Sequence, residues 1–243
     1  MPPSLSAIFA HPDDETFSIA GTVSTLTRRG VECALFCATD GDAGRASGVR
    51  VSSREELGRV RRGELLEAAR VLGIAPVVTP GYTDGALGAA DQDALVGDVV
   101  RFLRERRPAV VVTFGPEGAP NLHRDHRVIS RAATAAFFLA GLPTAYPEQL
   151  ANDSLAPHAA RRLLYVTWPP PRSGDPGPHG VPAAIRVDVR AALDAKRAAF
   201  DAHRTQHDHR AEFERLGLVG EEWFALASGA PFPAGASDIL AGL

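Results

Sequence analysis

The chain has 243 residues, 45% of them hydrophobic and 23% charged, an ordinary balance for a soluble globular protein with room for one sizeable core. The 26 Lys and Arg against 29 Asp and Glu leave a net charge of −3, so no basic field invites nucleic acid or an anionic membrane. No apolar run reaches the roughly 20 residues of a membrane span. No basic segment precedes the short N-terminal apolar run, so no signal peptide is read and cytoplasm is the expected compartment.

Residues 5–10 read as the first strand, and 14–30 as a helix stopped by Gly30. Residues 31–38 read as the second strand, carrying both cysteines. On one strand face Cys33 and Cys37 would stand roughly 13 Å apart, beyond the ~7 Å reach of a disulfide, and they are expected as small buried hydrophobes. A helix follows over 54–73. Its basic stretch Arg59-Val60-Arg61-Arg62 is offset by Glu55, Glu56, Glu64 and Glu67, and reads as a solvated face. A short strand near 76–79 leads to a helix over 91–107 stopped by Pro108. The β-branched run 109–114 has the pattern of a parallel strand buried on both faces. A helix from about 123 to 140 comes next. Residues 141–183, rich in Pro and Gly, read as loops around one strand at 163–167. A strand at 185–189 and a helix over 190–208 complete the reading. The order βαβαβαβα predicts an α/β fold, a mostly parallel sheet flanked by helices, within a single domain spanning residues 1–243.

In such sheets ligands bind beyond the carboxyl ends of the strands. There the sequence places His11-Pro12-Asp13-Asp14-Glu15, then Thr39-Asp40-Gly41-Asp42, then Gly115 to Gly118 leading to His123-Arg124-Asp125-His126. Asp13 or Asp14 could cap a helix, with Glu15 in its first turn, but a cap needs no imidazole at position 11. His123 and His126, three apart, share one helix face. Taken jointly, His11, Asp14 and His126 supply two nitrogens and one carboxylate, the makeup of a catalytic zinc site with an open position. The turn after the first strand lacks the glycines of a dinucleotide fingerprint, and no G-x-S-x-G elbow occurs.

These residues resemble the PIG-L/LmbE-like zinc-dependent de-N-acetylases. The opening Ala10-His11-Pro12-Asp13-Asp14-Glu15 matches that family's first motif unchanged. Its second motif, usually G-H-P-D-H, reads Leu122-His123-Arg124-Asp125-His126 here, with both histidines and the aspartate kept. Likeness extends to Asp40-Gly41-Asp42-Ala43-Gly44, to Arg61-Arg62-Gly63-Glu64-Leu65, and to Lys196 with His203-Arg204-Thr205-Gln206. The resemblance implies a Rossmann-like (LmbE-like) fold and one Zn2+ per chain on His11, Asp14 and His126, with Fe2+ as another divalent candidate. It implies Asp13 as general base, and His123, as imidazolium, stabilising the oxyanion or protonating the leaving amine. Asp125 would orient an imidazole from behind, or be a first-turn helix acid. Arg61 would approach substrate or pair with Glu64 or Glu67. Asp40, Asp42 and Asp84 are candidates for hydrogen-bonding a sugar, or plain turn residues. His203, His207 and His209 read as structural or surface groups, with His203 near the pocket edge; His158 and His179 carry no argument. The implied activity is removal of an N-acetyl or other N-acyl group from an amino-sugar-type small molecule such as an N-acetylglucosaminyl conjugate. A mycothiol-conjugate-like amidase and a non-catalytic zinc- or sugar-binding protein are the rivals. A homo-oligomer is compatible with all three. Specificity is expected from loops 41–53, 115–122 and 141–183.

Overall fold

The computed structural model of the chain describes residues 4–119, 121–169 and 180–243; Pro120, Pro170, Pro171 and His179 lie outside them. The strands are β1 (Leu5–Phe9), β2 (Cys33–Cys37), β3 (Val77–Val78), β4 (Val110–Phe114), β5 (Arg162–Thr167), β6 (Ile185–Asp188) and β7 (Glu221–Gly229). They form one sheet in the order β3-β2-β1-β4-β5-β7-β6. The first five are mutually parallel, while β7 runs antiparallel to both β5 and β6. Every residue of β1, β2 and β4 is buried, as expected of parallel strands covered on both faces.

The helices are α1 (Asp14–Ser18), α2 (Ala20–Arg28), α3 (Arg54–Leu72), α4 (Gln92–Arg106), α5 (Arg124–Leu139), α6 (Pro147–Asn152), α7 (Leu193–Ala202) and α8 (Arg210–Glu212). Among the described residues none is long and apolar enough to cross a membrane. Ser53 caps α3 through the Glu56 amide, and Gly73 ends it in the left-handed region. Both cysteines are free and buried.

Four local expectations are corrected. The helix read over 14–30 breaks at Ile19 into α1 and α2. The break is held by a buried ion pair: Glu222 accepts from the Gly21 and Thr22 amides at the start of α2, while Lys196 Nζ donates to Phe17 O in α1 and to Glu222 Oε1 at 2.6 Å. Hydrophobic periodicity cannot show a cap supplied from the far end of the chain. Residues 190–208 hold a shorter α7 between 3₁₀ turns. Residues 141–183 contain α6 besides β5. The 59–62 cluster is not uniformly solvated, because Arg61 and Glu64 are buried. The sequence reading had no strand at 221–229; that segment becomes β7 between β5 and β6.

Candidate functional site

Strand order reverses between β1 and β4, since β1 continues to β2 on one side while β4 continues to β5 on the other. The crevice beyond their carboxyl ends is where a fold of this kind receives ligands. His11 follows β1, and α5 follows β4 after a loop, so Asp125 and His126 enter the same crevice from the first turn of α5. Both strand ends are pinned by hydroxyls, Thr113 to Ile8 O, Thr39 to Ala10 O and Ser130 to Phe114 O.

Three side chains meet at one point. His126 Nε2 lies 3.1 Å from Asp14 Oδ1 and 3.3 Å from His11 Nδ1, and His11 Nδ1 lies 3.6 Å from Asp14 Oδ2. A tetrahedral ion with ligands at about 2.0–2.2 Å has ligand–ligand edges of about 3.3–3.6 Å, so the donor set fits such an ion in chemistry and spacing. The Asp14 carboxylate is aimed by the Ala10 and His11 amides. His126 stacks on Phe114 at 3.8 Å between ring centroids, with planes 10° apart. On its other side His11 Nε2, buried and without an aligned hydrogen bond, lies 3.1 Å from Asp84 Oδ1 and 3.5 Å from Asp125 Oδ2. Asp84 and Asp125 are fixed in turn by the Ala43 and Gly85 amides. Carboxylates facing one nitrogen of an imidazole fix the orientation of its ring, and Asp84 and Asp125 both face His11 Nε2 in this way.

The electrostatics follow from burial. Burial disfavours a charged His11, but Asp125, Asp14 and Asp84 outweigh it and hold the imidazole well above its usual range. Burial likewise works to raise Asp14, yet His126 and His11 hold it far below the usual carboxylate range. The carboxylates around His11 thus favour positive charge at this point of the crevice, the charge a divalent ion would supply.

Asp13 stands beside this cluster and departs from it in character. Its backbone has φ 113° and ψ −20°, a strained region for any residue but glycine. No side-chain cap bond forms at the start of α1, so the capping role considered for Asp13 is not observed. Burial pushes its carboxyl up to about 6, against the opposing pull of Arg61.

His123 Nδ1 accepts from the Asp125 amide at 3.1 Å and thereby caps α5. That nitrogen therefore carries no proton, which corrects the imidazolium expected from the sequence. Burial and the neighbouring His11 and His126 also lower its affinity for a second proton. The remaining Nε2–H is the ring's donor. His123 sits edge-on to His11, with ring centroids 4.7 Å apart.

The other candidates are placed differently. Arg61 is buried and pairs with neither Glu64 nor Glu67: Nη1 donates to Gly41 O, Nη2 donates to Pro12 O at 2.6 Å, and Nη2 lies 3.7 Å from Asp13 Oδ2. Gly41 makes room for it, since a Cβ there would stand 2.4 Å from Arg61 Nη1. Asp40 is engaged by Arg62, and Asp42 accepts from Arg54 and the Asp84 amide, so both are occupied as loop anchors. Glu15, read as a first-turn acid, and His203, expected near the pocket edge, are joined in a way that residue spacing does not show. They form a buried pair, His203 Nε2 to Glu15 Oε1 at 2.8 Å. The signal available was the third acid of the run, which needs a cation the local sequence does not supply.

Residues 6–137 match the model of the family described as PIG-L, GlcNAc-PI de-N-acetylase. The chain is 30% identical to 1D-myo-inositol 2-acetamido-2-deoxy-alpha-D-glucopyranoside deacetylase of Rhodococcus jostii, over 83% of this chain and 81% of that one. It is 34% identical to the probable N-acetyl-alpha-D-glucosaminyl L-malate deacetylase 2 of Bacillus cereus, over 53% of this chain and 58% of the other. Among solved structures, N,N'-diacetylchitobiose deacetylase from Pyrococcus horikoshii superposes with a TM-score of 0.75 at 25% identity, covering 92% of this chain and 83% of that one. A matching family model over more than half the chain, carrying the clustered histidines and aspartates just described, makes this protein a member of the PIG-L family of de-N-acetylases.

Proposed function

We propose that the chain is a divalent-metal-dependent amide hydrolase that removes the N-acetyl group from an amino-sugar conjugate, with zinc as the resident ion, and that it works in the cytoplasm as one domain. The observation that carries the reading is the meeting of His11 Nδ1, Asp14 and His126 Nε2 at tetrahedral-edge distances, with His123 edge-on to His11. Relatives named for removing acetyl groups from glucosamine-containing molecules support the substrate class.

His11, Asp14 and His126 would hold the ion. When bound, it lowers the pKa of a water ligand towards about 7 and polarises the substrate carbonyl. Asp13 takes the proton of the attacking water; a carboxyl lifted to about 6 is a stronger base than an ordinary aspartate. His123 donates its Nε2–H to the oxygen that gains charge as the carbonyl becomes tetrahedral. Nitrogen then leaves as the amine with the proton collected at Asp13, giving acetate and a free amino sugar. Asp84 and Asp125 hold the His11 ring through Nε2 and so would keep Nδ1 aimed at the ion. The test is metal content of the purified protein together with acetate release from a panel of N-acylated glucosamine conjugates. Zinc near one per chain with acetate released supports the reading. A zinc-loaded chain that releases acetate from none of them sinks it.

A further inference from the structure

Glu15 is the last acid of the opening motif, and nothing in the reaction uses it. Its carboxylate is nonetheless fully engaged: Oε2 accepts the Asp13 amide at 3.1 Å, while Oε1 faces His203 Nε2 at 2.8 Å and takes the Thr16 hydroxyl. Glu15 is 1% exposed and His203 0%. His203 lies at the end of α7, well outside the residues 6–137 that carry the family match. The amide that Glu15 holds belongs to the strained residue, Asp13 at φ 113°. Two further contacts bracket the same peptide, Arg61 to Pro12 O and the Asp13 carbonyl to the Thr16 amide.

We propose that His203 is a positioning residue for Asp13, acting through Glu15. The proposal rests on the reading of Asp13 as the base. A left-handed aspartate relaxes to an ordinary conformation unless its neighbours over-determine it, and relaxation swings the carboxylate away from the water it deprotonates. Glu15 is one of those neighbours only while its own orientation is fixed, and His203 fixes it by occupying the oxygen that the Asp13 amide does not. The charged groups facing this pair are Asp13 and Arg61. The segment carrying His203 has other anchors: Thr205 donates its amide and hydroxyl to Glu64, and Gln206 Nε2 donates to Arg45 O. Deleting the imidazole therefore leaves the segment seated and removes the one contact that reaches Glu15 from beyond its own turn, leaving Oε1 only the adjacent Thr16 hydroxyl.

The experiment compares kcat, KM and zinc per chain for the parent, His203→Ala, His203→Gln, Glu15→Gln, Asp13→Asn and the double variant Asp13→Asn/His203→Ala. His203→Ala should lower kcat by about 10–100-fold, the worth of a base displaced by roughly an ångström, with KM and zinc unchanged. His203→Gln, which keeps an N–H donor, should recover much of that loss. The double variant should be no slower than Asp13→Asn alone, because the two act through one group. Losses that multiply in the double variant overturn the proposal, as does a folded His203→Ala with parental kcat or one whose only defect is lost zinc. Asp13→Asn at the parental rate is a separate outcome, which removes the base itself. Should His203→Ala not fold, the isosteric Glu15→Gln decides: parental turnover overturns the proposal, and slowed turnover with zinc retained supports it.

Discussion

His123 and His126 sit three residues apart at the start of α5, yet their surroundings differ, and the proposed function asks different work of each. His126 puts Nε2 among His11 and Asp14, while His123 spends Nδ1 on the helix cap and keeps one free donor. His126→Ala, like His11→Ala and Asp14→Ala, should therefore strip most zinc. His123→Ala should retain it and lose about 10²–10³-fold in kcat, comparable to one oxyanion donor. Elemental analysis beside turnover decides between them, and zinc lost from His123→Ala but kept in His126→Ala inverts the assignment. Asp13 carries a second prediction. Glycine removes the strain of φ 113°, worth about 1–3 kcal/mol, less the roughly 0.5–1 kcal/mol that glycine's extra freedom costs. Asp13→Gly should thus raise stability by about 1 kcal/mol, a Tm increase of roughly 2–4 °C for a chain of this size, while kcat falls about 10²–10⁴-fold. A scanning calorimeter showing no gain in Tm would mean the strain is already offset locally. At this scale the sequence was informative about types and poor about partners. The histidines and acids after β1 and at the start of α5 lie beyond the carboxyl ends of the strands, as the order of elements predicts. Arg61 and His203 could not be placed, because each bonds to groups dozens or hundreds of positions away, and helical spacing reports only near neighbours.

The break between α1 and α2 shows the same limit for elements. A periodic apolar pattern continues across Ile19, and only the tertiary cap from Glu222 and Lys196 explains why the hydrogen-bond ladder stops. Gly21 is part of the device, since a Cβ there would meet the Val189 side chain at 2.5 Å. Glu222→Ala should leave the buried Lys196 ammonium unpaired together with two helix amides, at a cost of about 3–5 kcal/mol. Lys196→Met should cost less, because Glu222 would still be held by the Gly21 and Thr22 amides at a helix N-terminus. Urea unfolding of both variants gives the order; equal losses would mean that the ammonium, not the cap, holds the joint. The parallel strands β1, β2 and β4 were legible because burial on both faces leaves a nearly continuous apolar run, broken only by Ser6 and Thr113. By contrast β7 reads EEWFALASG, and its pattern becomes intelligible only once β5 and β6 flank it.

Over the whole molecule, the residues matched to the family hold all the candidate ligands, but they do not hold the site together. Glu222 and Lys196 fasten α1 to α2, His203 faces Glu15, and Thr205 bonds Glu64, all from beyond residue 137. A fragment of residues 1–140 should accordingly lack fixed tertiary structure by near-UV circular dichroism and bind well under one zinc per chain, although it contains His11, Asp14 and His126. A fragment that melts cooperatively and carries stoichiometric zinc would show that the later half only decorates the site. The separation of these partners also sets an order of events during synthesis. His11 and His126 are 115 residues apart, and Glu15 and His203 are 188 apart. At translation rates of roughly 5–20 residues per second, the second interval lasts about 10–40 s. For that time the acidic motif has left the ribosome while its clasp has not been made. Until that clasp forms, Asp13, Asp14 and Glu15 stand side by side without the His203 imidazole that faces Glu15 in the finished fold, so the repulsion among three neighbouring carboxylates is relieved by solvent first and by the fold last.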